Sequence, residues 1–233
     1  LGTRTRRMVV LGLACGVAAV VCAASSLPES RTTEASSSRL DAFAPVFHFR
    51  ERHEIIVAAP QDVAFAAVRA TTADEIALFQ AFTWIRRLGR ETPESILHAP
   101  AGEPLLDVAA RTTFLRLADA APHEVLVGTV VLAPAGFHRG EISTPDAYRE
   151  LSRRGFVLAT MNFRVVPLSA SSSRVTTETR VFATDRPSLR RFTPYWRAIF
   201  PGSALLRMTW LRAIKRRAEA AAAIASPPAG PRV

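Results

Sequence analysis

A carboxylate and an imidazole, Glu51 and His53, stand two residues apart in the stretch Phe47 to Ala59. The odd positions there are Phe47, Phe49, Glu51, His53, Ile55 and Val57; the even ones are His48, Arg50, Arg52, Glu54 and Ile56. This period of two predicts a strand whose odd set faces the core. On that face Glu51 could orient His53 and tune it for proton transfer. The same spacing also suits a structural pair, or two solvated groups at the open end of a sheet.

Little else in the chain has the spacing of known chemistry. His48 and His53 are the nearest histidines, and five residues along a strand put them on opposite faces, so they cannot share a metal. No P-loop, dinucleotide fingerprint, G-x-S-x-G elbow or H-E-x-x-H helix is present. Cys15 and Cys22 both lie near the N-terminus, and the rest of the chain has no cysteine. That leaves it without an internal disulfide, a thiol nucleophile or a Cys-based zinc site. Neither a metal nor a cofactor is expected.

The elements that must position Glu51 and His53 follow from periodicity. Pro60 opens a helix over Gln61 to Ala70. A second helix is predicted from Ala73 to Leu88, with Ile76, Phe79 and Thr83 on one stripe and Gly89 as its stop. Residues 91–111 give no clear pattern. Strands are predicted near Thr113 to Leu117 and over Glu124 to Leu132, with a turn at Ala120 to His123. Gly136 to Gly140 reads as loop and Pro145 to Arg153 as a short helix. Phe156 to Val166 is the clearest strand, with Val157, Ala159, Met161, Phe163 and Val165 on its apolar face. It pairs through Ser169 to Ser173 with Arg174 to Ala183, a hairpin with one wet face that holds Glu178 and Arg180. Asp185 caps a last helix with Pro187 in its first turn. Pro201-Gly202 is expected to interrupt that helix and Ser203 to cap its restart. Its apolar stripe runs through Leu189, Phe192, Trp196, Ile199, Leu206, Trp210, Ala213, Ile214 and Ala218.

The ends read differently. Arg4, Arg6 and Arg7 precede an apolar run from Met8 to about Ala24, which ends in small residues. This predicts a signal peptide or membrane anchor over 1–24, with the domain exported or held outside the cytoplasmic membrane. A start at Met8 would remove those arginines and favour the cytoplasm. Residues 25–45 read as a flexible linker, 46–225 as the folded domain and 226–233 as a disordered Pro/Gly-rich tail. The 233 residues carry a formal charge of +10, and Lys215 is the sole lysine. Such a surface suits an anionic membrane surface. Its arginines are not arranged as in a nucleic-acid module, so nucleic acid is not an expected partner.

The order is strand, two helices, several antiparallel strands, then a long amphipathic helix, an α+β arrangement. The strand Glu51 to Ala59 running into Pro60-Gln61-Asp62-Val63, the hairpin Phe156 to Phe182 and the helix Asp185 to Ala222 resemble the START/Bet v 1-like (SRPBCC) superfamily. The segments Phe192 to Ser203 and Trp210 to Glu219 are similar to an uncharacterised bacterial branch of it. The resemblance implies a helix-grip fold, a curved antiparallel sheet wrapped around a long C-terminal helix, with an apolar cavity between them. It implies binding or carriage of an apolar, lipid-like small molecule. Phe79, Val157, Met161, Phe163, Trp196 and Trp210 are the expected lining, although each also suits plain core packing. Two other functions fit the same residues: a cyclase- or dehydratase-like enzyme using Glu51 and His53, and an interaction module whose core is filled by its own side chains.

Overall fold

Residues 27–32, 38–86, 95, 96 and 98–225 are described in the computed structural model. In chain order the elements are β1 (Arg31–Thr32), α1 (Arg39–Phe43), β2 (Val46–Phe47), β3 (Phe49–Val57), α2 (Gln61–Ala70), α3 (Phe79–Arg86), α4 (Leu105–Thr112), β4 (Leu115–Ala120), β5 (Glu124–Leu132), α5 (Pro145–Arg149), β6 (Val157–Ser169), β7 (Ser172–Ala183) and α6 (Arg186–Ala225). The apolar run expected as a signal or anchor and the expected tail lie outside the described residues. No helix among the described residues is long and apolar enough to cross a membrane.

Five strands form one antiparallel sheet in the order β3-β7-β6-β5-β4. Register shifts fall between Arg116 and Ala118, Val130 and Leu132, and Pro167 and Ser169. Such bulges bend a strand and increase its twist. Alternation along each strand gives the sheet two apolar faces. On the inner face Val57, Val125, Val127, Met161, Phe163 and Val175 join the buried faces of α2, α4 and the C-terminal half of α6 in one core. The first turns of α6 close the same face lower down, where Leu189 and Phe192 meet Val157, Val181 and Ala183. The α+β helix-grip arrangement expected from the element order is the one observed.

The outer face is also covered, which corrects two expectations. Residues 38–45, expected as linker, form α1 and its exit, which with β2 lie over the sheet, and Leu40, Ala44 and Phe47 are buried. They belong to the fold because Glu124 holds them. Its carboxylate accepts from Ser38 Oγ and the Arg39 amide, each at 2.8 Å, and from Asn162 Nδ2 at 2.6 Å. Nor is the second face of the β6–β7 hairpin wet. Glu178 and Arg180 are buried and pair at 2.7 Å. Arg50 forks onto Glu178 at 2.8 and 2.9 Å, a two-bond contact that fixes both groups. Arg180 Nη1 donates to the Ala44 carbonyl at 2.9 Å and sits 2.7 Å from Asp41 Oδ1. The Asp41 contact is an ion pair without hydrogen-bond alignment. Alternation marks Glu178 and Arg180 as polar, but paired charges can be covered by a later layer.

The helical expectations fare unevenly. Helix α2 has the expected bounds, Gln61–Ala70. The second helix divides: Ala73–Glu75 is a 3-10 turn closed by a capping box between Thr72 and Glu75, and α3 begins only at Phe79. Helix α4 emerges from the stretch without clear pattern, starting behind Pro104, whose ring presets the first turn. Pro201-Gly202 does not break α6, which runs unbroken for 40 residues with Pro194 and Pro201 inside. A proline frees the carbonyl four residues earlier, here Arg190 and Arg197, and both are exposed, so water can satisfy them.

Candidate functional site

Strand β3 carries Phe49, Glu51, His53, Ile55 and Val57 on its inner face. Phe49 packs against the lower apolar cluster, while Ile55 packs against the main core. Glu51 and His53 therefore occupy the seam between two apolar clusters. The Glu51 carboxylate is 4 % exposed, and His53 is half-buried. His53 Nε2 lies 3.1 Å from Glu51 Oε1. In the tautomer that carries its proton on Nε2, the imidazole donates to this oxygen. Ser203 Oγ, from α6, donates to Glu51 Oε2 at 3.0 Å.

The neighbouring strand extends the polar group. Register places Thr179 beside Glu51 and Thr177 beside His53. Both threonines are buried, and Thr177 Oγ1 donates to the Asn162 carbonyl at 2.9 Å. Arg207, one helical turn beyond Ser203, reaches into the same wall. Its Nη1 lies 3.5 Å from Thr177 Oγ1 and touches Met161 Sδ, and its guanidinium stands 5.9 Å from the Trp210 ring centroid. Trp210 packs on Phe163 with ring centroids 4.8 Å apart. The buried indole Nε1 of Trp210 has no hydrogen-bond partner among the described residues. On the other side of the seam Phe49 meets Trp196 at 5.3 Å and Phe192 at 5.7 Å.

The structure thus brings Glu51 and His53 together and places Met161, Phe163 and Trp210 around Arg207. Trp196 and Val157 belong to the lower cluster, where Trp196 is partly exposed. Phe79 sits at the start of α3, inside the main core. Two open pockets, of about 610 and 370 Å³, lie elsewhere. The first is a notch between Pro60, Ser171 and Ala222, and the second lies beside Gln61, His123 and Arg164. None of the eight candidate residues lines either one. No group of three His, Cys, Asp or Glu side chains among the described residues could hold a metal ion.

Sequence reasoning missed Ser203, read as a cap, and Arg207, which lies off the apolar stripe. Both were within reach of the helical period. Positions 196, 199, 203, 206 or 207 and 210 recur at three and four residues, so Ser203 and Arg207 border the Trp196–Trp210 stripe. The alternation that sets Glu178 and Arg180 on one face of their strand sets Thr177 and Thr179 on the inner one, where the structure has them.

One feature of α6 distinguishes this region. From Pro194 to Met208 no side chain is fully buried, whereas Thr209, Trp210, Leu211, Ala213 and Ile214 all are. The helix is sealed onto the sheet beyond Met208 and only half-sealed over Glu51 and His53. A sheet led by β3, with three helices before its second strand and a 40-residue helix laid across it, is a helix grip.

The fold is thus the α+β helix grip. No protein-family model matches the chain, and no curated protein matches it. Among solved structures it is similar to the hypothetical protein jhp0584 of Helicobacter pylori, with 8 % identity over 81 % of this chain and 98 % of that one, at a TM-score of 0.37. It is similar to the ZhuI aromatase/cyclase of Streptomyces sp. R1128, with 13 % identity over 73 % and 93 % of the two chains, at 0.29. It is also similar to a START superfamily protein of Mycobacterium smegmatis, with 16 % identity over 76 % and 99 %, at 0.25. At such TM-scores these likenesses carry no argument, and the helix-grip fold is read from this chain's own strand order and helix placement.

Proposed function

We propose that the protein binds an apolar, lipid-like small molecule at the seam between β3 and the middle of α6. The polar end of the ligand meets Glu51, His53, Ser203 and Arg207, and its apolar body lies against Met161, Phe163, Trp196 and Trp210. The observation that carries this reading is the buried Glu51 carboxylate, tied to an imidazole and a hydroxyl amid apolar side chains. Burying a carboxylate is costly, and plain packing would be served better by an apolar residue of the same volume. A ligand pocket, by contrast, is mostly apolar with a few polar anchors. The half-sealed run from Pro194 to Met208 supports entry at this point, since a modest shift of that segment would open the seam.

Native mass spectrometry with lipid extraction, on the protein purified from its own host, tests the proposal. A co-purified apolar molecule, lost in Glu51→Gln, supports it. A clean apo mass, together with no binding from a panel of fatty acids, quinones and polyketides, overturns it and favours a module with a filled core.

The 3.1 Å contact between His53 and Glu51 favours one second reading. An imidazole held by a carboxylate can shuttle a proton, as a cyclase or dehydratase would require. Conversion of the extracted ligand by the wild type but not by His53→Ala separates that reading from carriage.

A further inference from the structure

From Arg186 to Arg217, α6 carries nine basic side chains and no acidic one; its first carboxylate is Glu219. The buried face of the helix has been described above. The opposite face is not simply polar. Arg186, Arg190, Arg197, Phe200, Met208 and Arg212 recur mostly at three- and four-residue intervals, or multiples of them, and all are exposed. Phe200 and Met208 are each 39 % exposed. The side chains of Arg197 and Arg212 make no ion pair or hydrogen bond among the described residues. An amphipathic helix normally turns its apolar side chains inward, so two large ones between cations on the outer stripe need another partner.

The segment beside it also exposes large apolar side chains. Helix α3 packs against α6, with Phe79 in the same core cluster as Trp210 and Leu211. Leu78, just before α3, is 56 % exposed, and Trp84 within it is 59 % exposed. Leu78 also holds a left-handed backbone, with φ of 64°. A leucine pays strain to adopt that conformation, and here it presents its side chain to solvent.

We infer that the outer face of α6, with Leu78 and Trp84 of the adjoining segment, docks on an anionic lipid surface. The arginines would meet the headgroup phosphates, and Phe200, Met208, Leu78 and Trp84 would enter the boundary between headgroups and acyl chains. Cations flanking apolar side chains are the pattern of interfacial helices. A nucleic acid would use the same cations, but Met208 and Leu78 offer it no ring for stacking. Phe200 borders the seam, with its ring 5.9 Å from that of Trp196, while Arg197, Met208 and Arg212 lie further from the face that holds Ser203 against Glu51.

Co-sedimentation of the full chain with phosphatidylcholine vesicles, with and without about one third phosphatidylserine, reads the effect. Each basic side chain near an anionic surface is worth about fivefold in binding. The wild type binds the anionic vesicles preferentially, and Arg197→Glu/Arg212→Glu lowers that binding by more than about 25-fold. Phe200→Ser/Met208→Ser lowers it as well, with unchanged circular dichroism. Quenching of Trp84 by brominated lipid, absent in Trp84→Phe, gives a readout that needs no variant of α6. Equal binding by wild type and both double variants would show that another part of the chain does the binding, and would overturn the inference. Binding of a DNA duplex that falls with the arginines but ignores Phe200 and Met208, with no vesicle preference, would overturn it in favour of nucleic acid.

Discussion

Ser203 Oγ, near the middle of α6, lies 3.0 Å from Glu51 Oε2 on β3. The buried carboxylate is thereby held by the helix as well as by His53 on its own strand. Removing one donor leaves part of a buried charged group unsatisfied, at about 1–3 kcal/mol. Ser203→Ala should lower stability by about that amount in urea unfolding, while Ser203→Thr, which keeps the hydroxyl, should lose less. Equal stability of all three proteins would show that the contact does not hold the helix.

The same carboxylate should govern ligand retention. A hydrogen bond to a charged group is worth about 1.5–3 kcal/mol, or roughly ten- to a hundredfold in affinity. Glu51→Gln and His53→Ala are each expected to weaken binding of the extracted ligand by at least about tenfold. Isothermal titration on folded variants measures it. Affinities matching the wild type in both would remove Glu51 and His53 from the site.

How much of this was visible in the sequence depends on the layer. The inner face was legible because it follows period two: Glu51 with His53, and Met161 with Phe163, are where alternation puts them. The outer layer was not. Residues 38–47 form only a short segment, and they are ordered on the sheet by Glu124, far away in sequence, through a partnership that composition cannot reveal. Pro201 misled in the opposite direction, since its local preference to end a helix yields to the packing of α6 across the whole sheet. Ser203 then became a partner of β3 instead of a cap. Helix α4 was hidden by its eight-residue length, too short for a period to stand out beside Pro100 and Pro104.

Arg180 is the pivot of the outer layer. It binds Glu178 and the Ala44 carbonyl and faces Asp41, joining the sheet to the 38–47 segment. Breaking a buried pair by removing one partner typically costs about 3–5 kcal/mol. Arg180→Met should approach that figure in chemical denaturation and should speed amide exchange in α1 and β2 before the rest of the sheet. A cost below about 1 kcal/mol, with α1 still protected, would mean that apolar burial of Leu40 alone holds the segment.

Gly128 is required for a different reason. A Cβ there would meet Tyr148 Cζ at 2.6 Å and Leu117 Cδ1 at 2.7 Å. Tyr148 has no room to retreat, because it is buried and its hydroxyl is bonded to Thr160 and the Ala159 carbonyl. Gly128→Ala should cost about 1–3 kcal/mol as overpacking. Gly140→Ala, with nothing within 4 Å of its Cβ, should stay within about 0.5 kcal/mol. The two melting curves compared side by side decide the matter.

The outer layer also contributes to the acid limb of stability. Burial lowers the pKa of His48, whose Nδ1 accepts the Ala183 amide at 3.2 Å and must be neutral to do so. Its ordinary value is 6.5. A histidine depressed in the fold contributes stability that is present above that value and lost as pH falls through the lower folded one. Burial would raise the pKa of Glu178, but the hydrogen bonds and charges of Arg50 and Arg180 outweigh it, and the net shift is below the ordinary 4.5. Its contribution is likewise present above 4.5 and lost as pH falls through the depressed value. Unfolding free energy should therefore decline in two stages on acidification, the first beginning below about pH 6.5 and the second below about 4.5. His48→Gln should flatten the first stage and leave the second. Glu178→Gln should lower stability throughout while flattening the second. Urea unfolding at half-unit pH steps resolves them, and a first stage that persists unchanged in His48→Gln would assign it to another group.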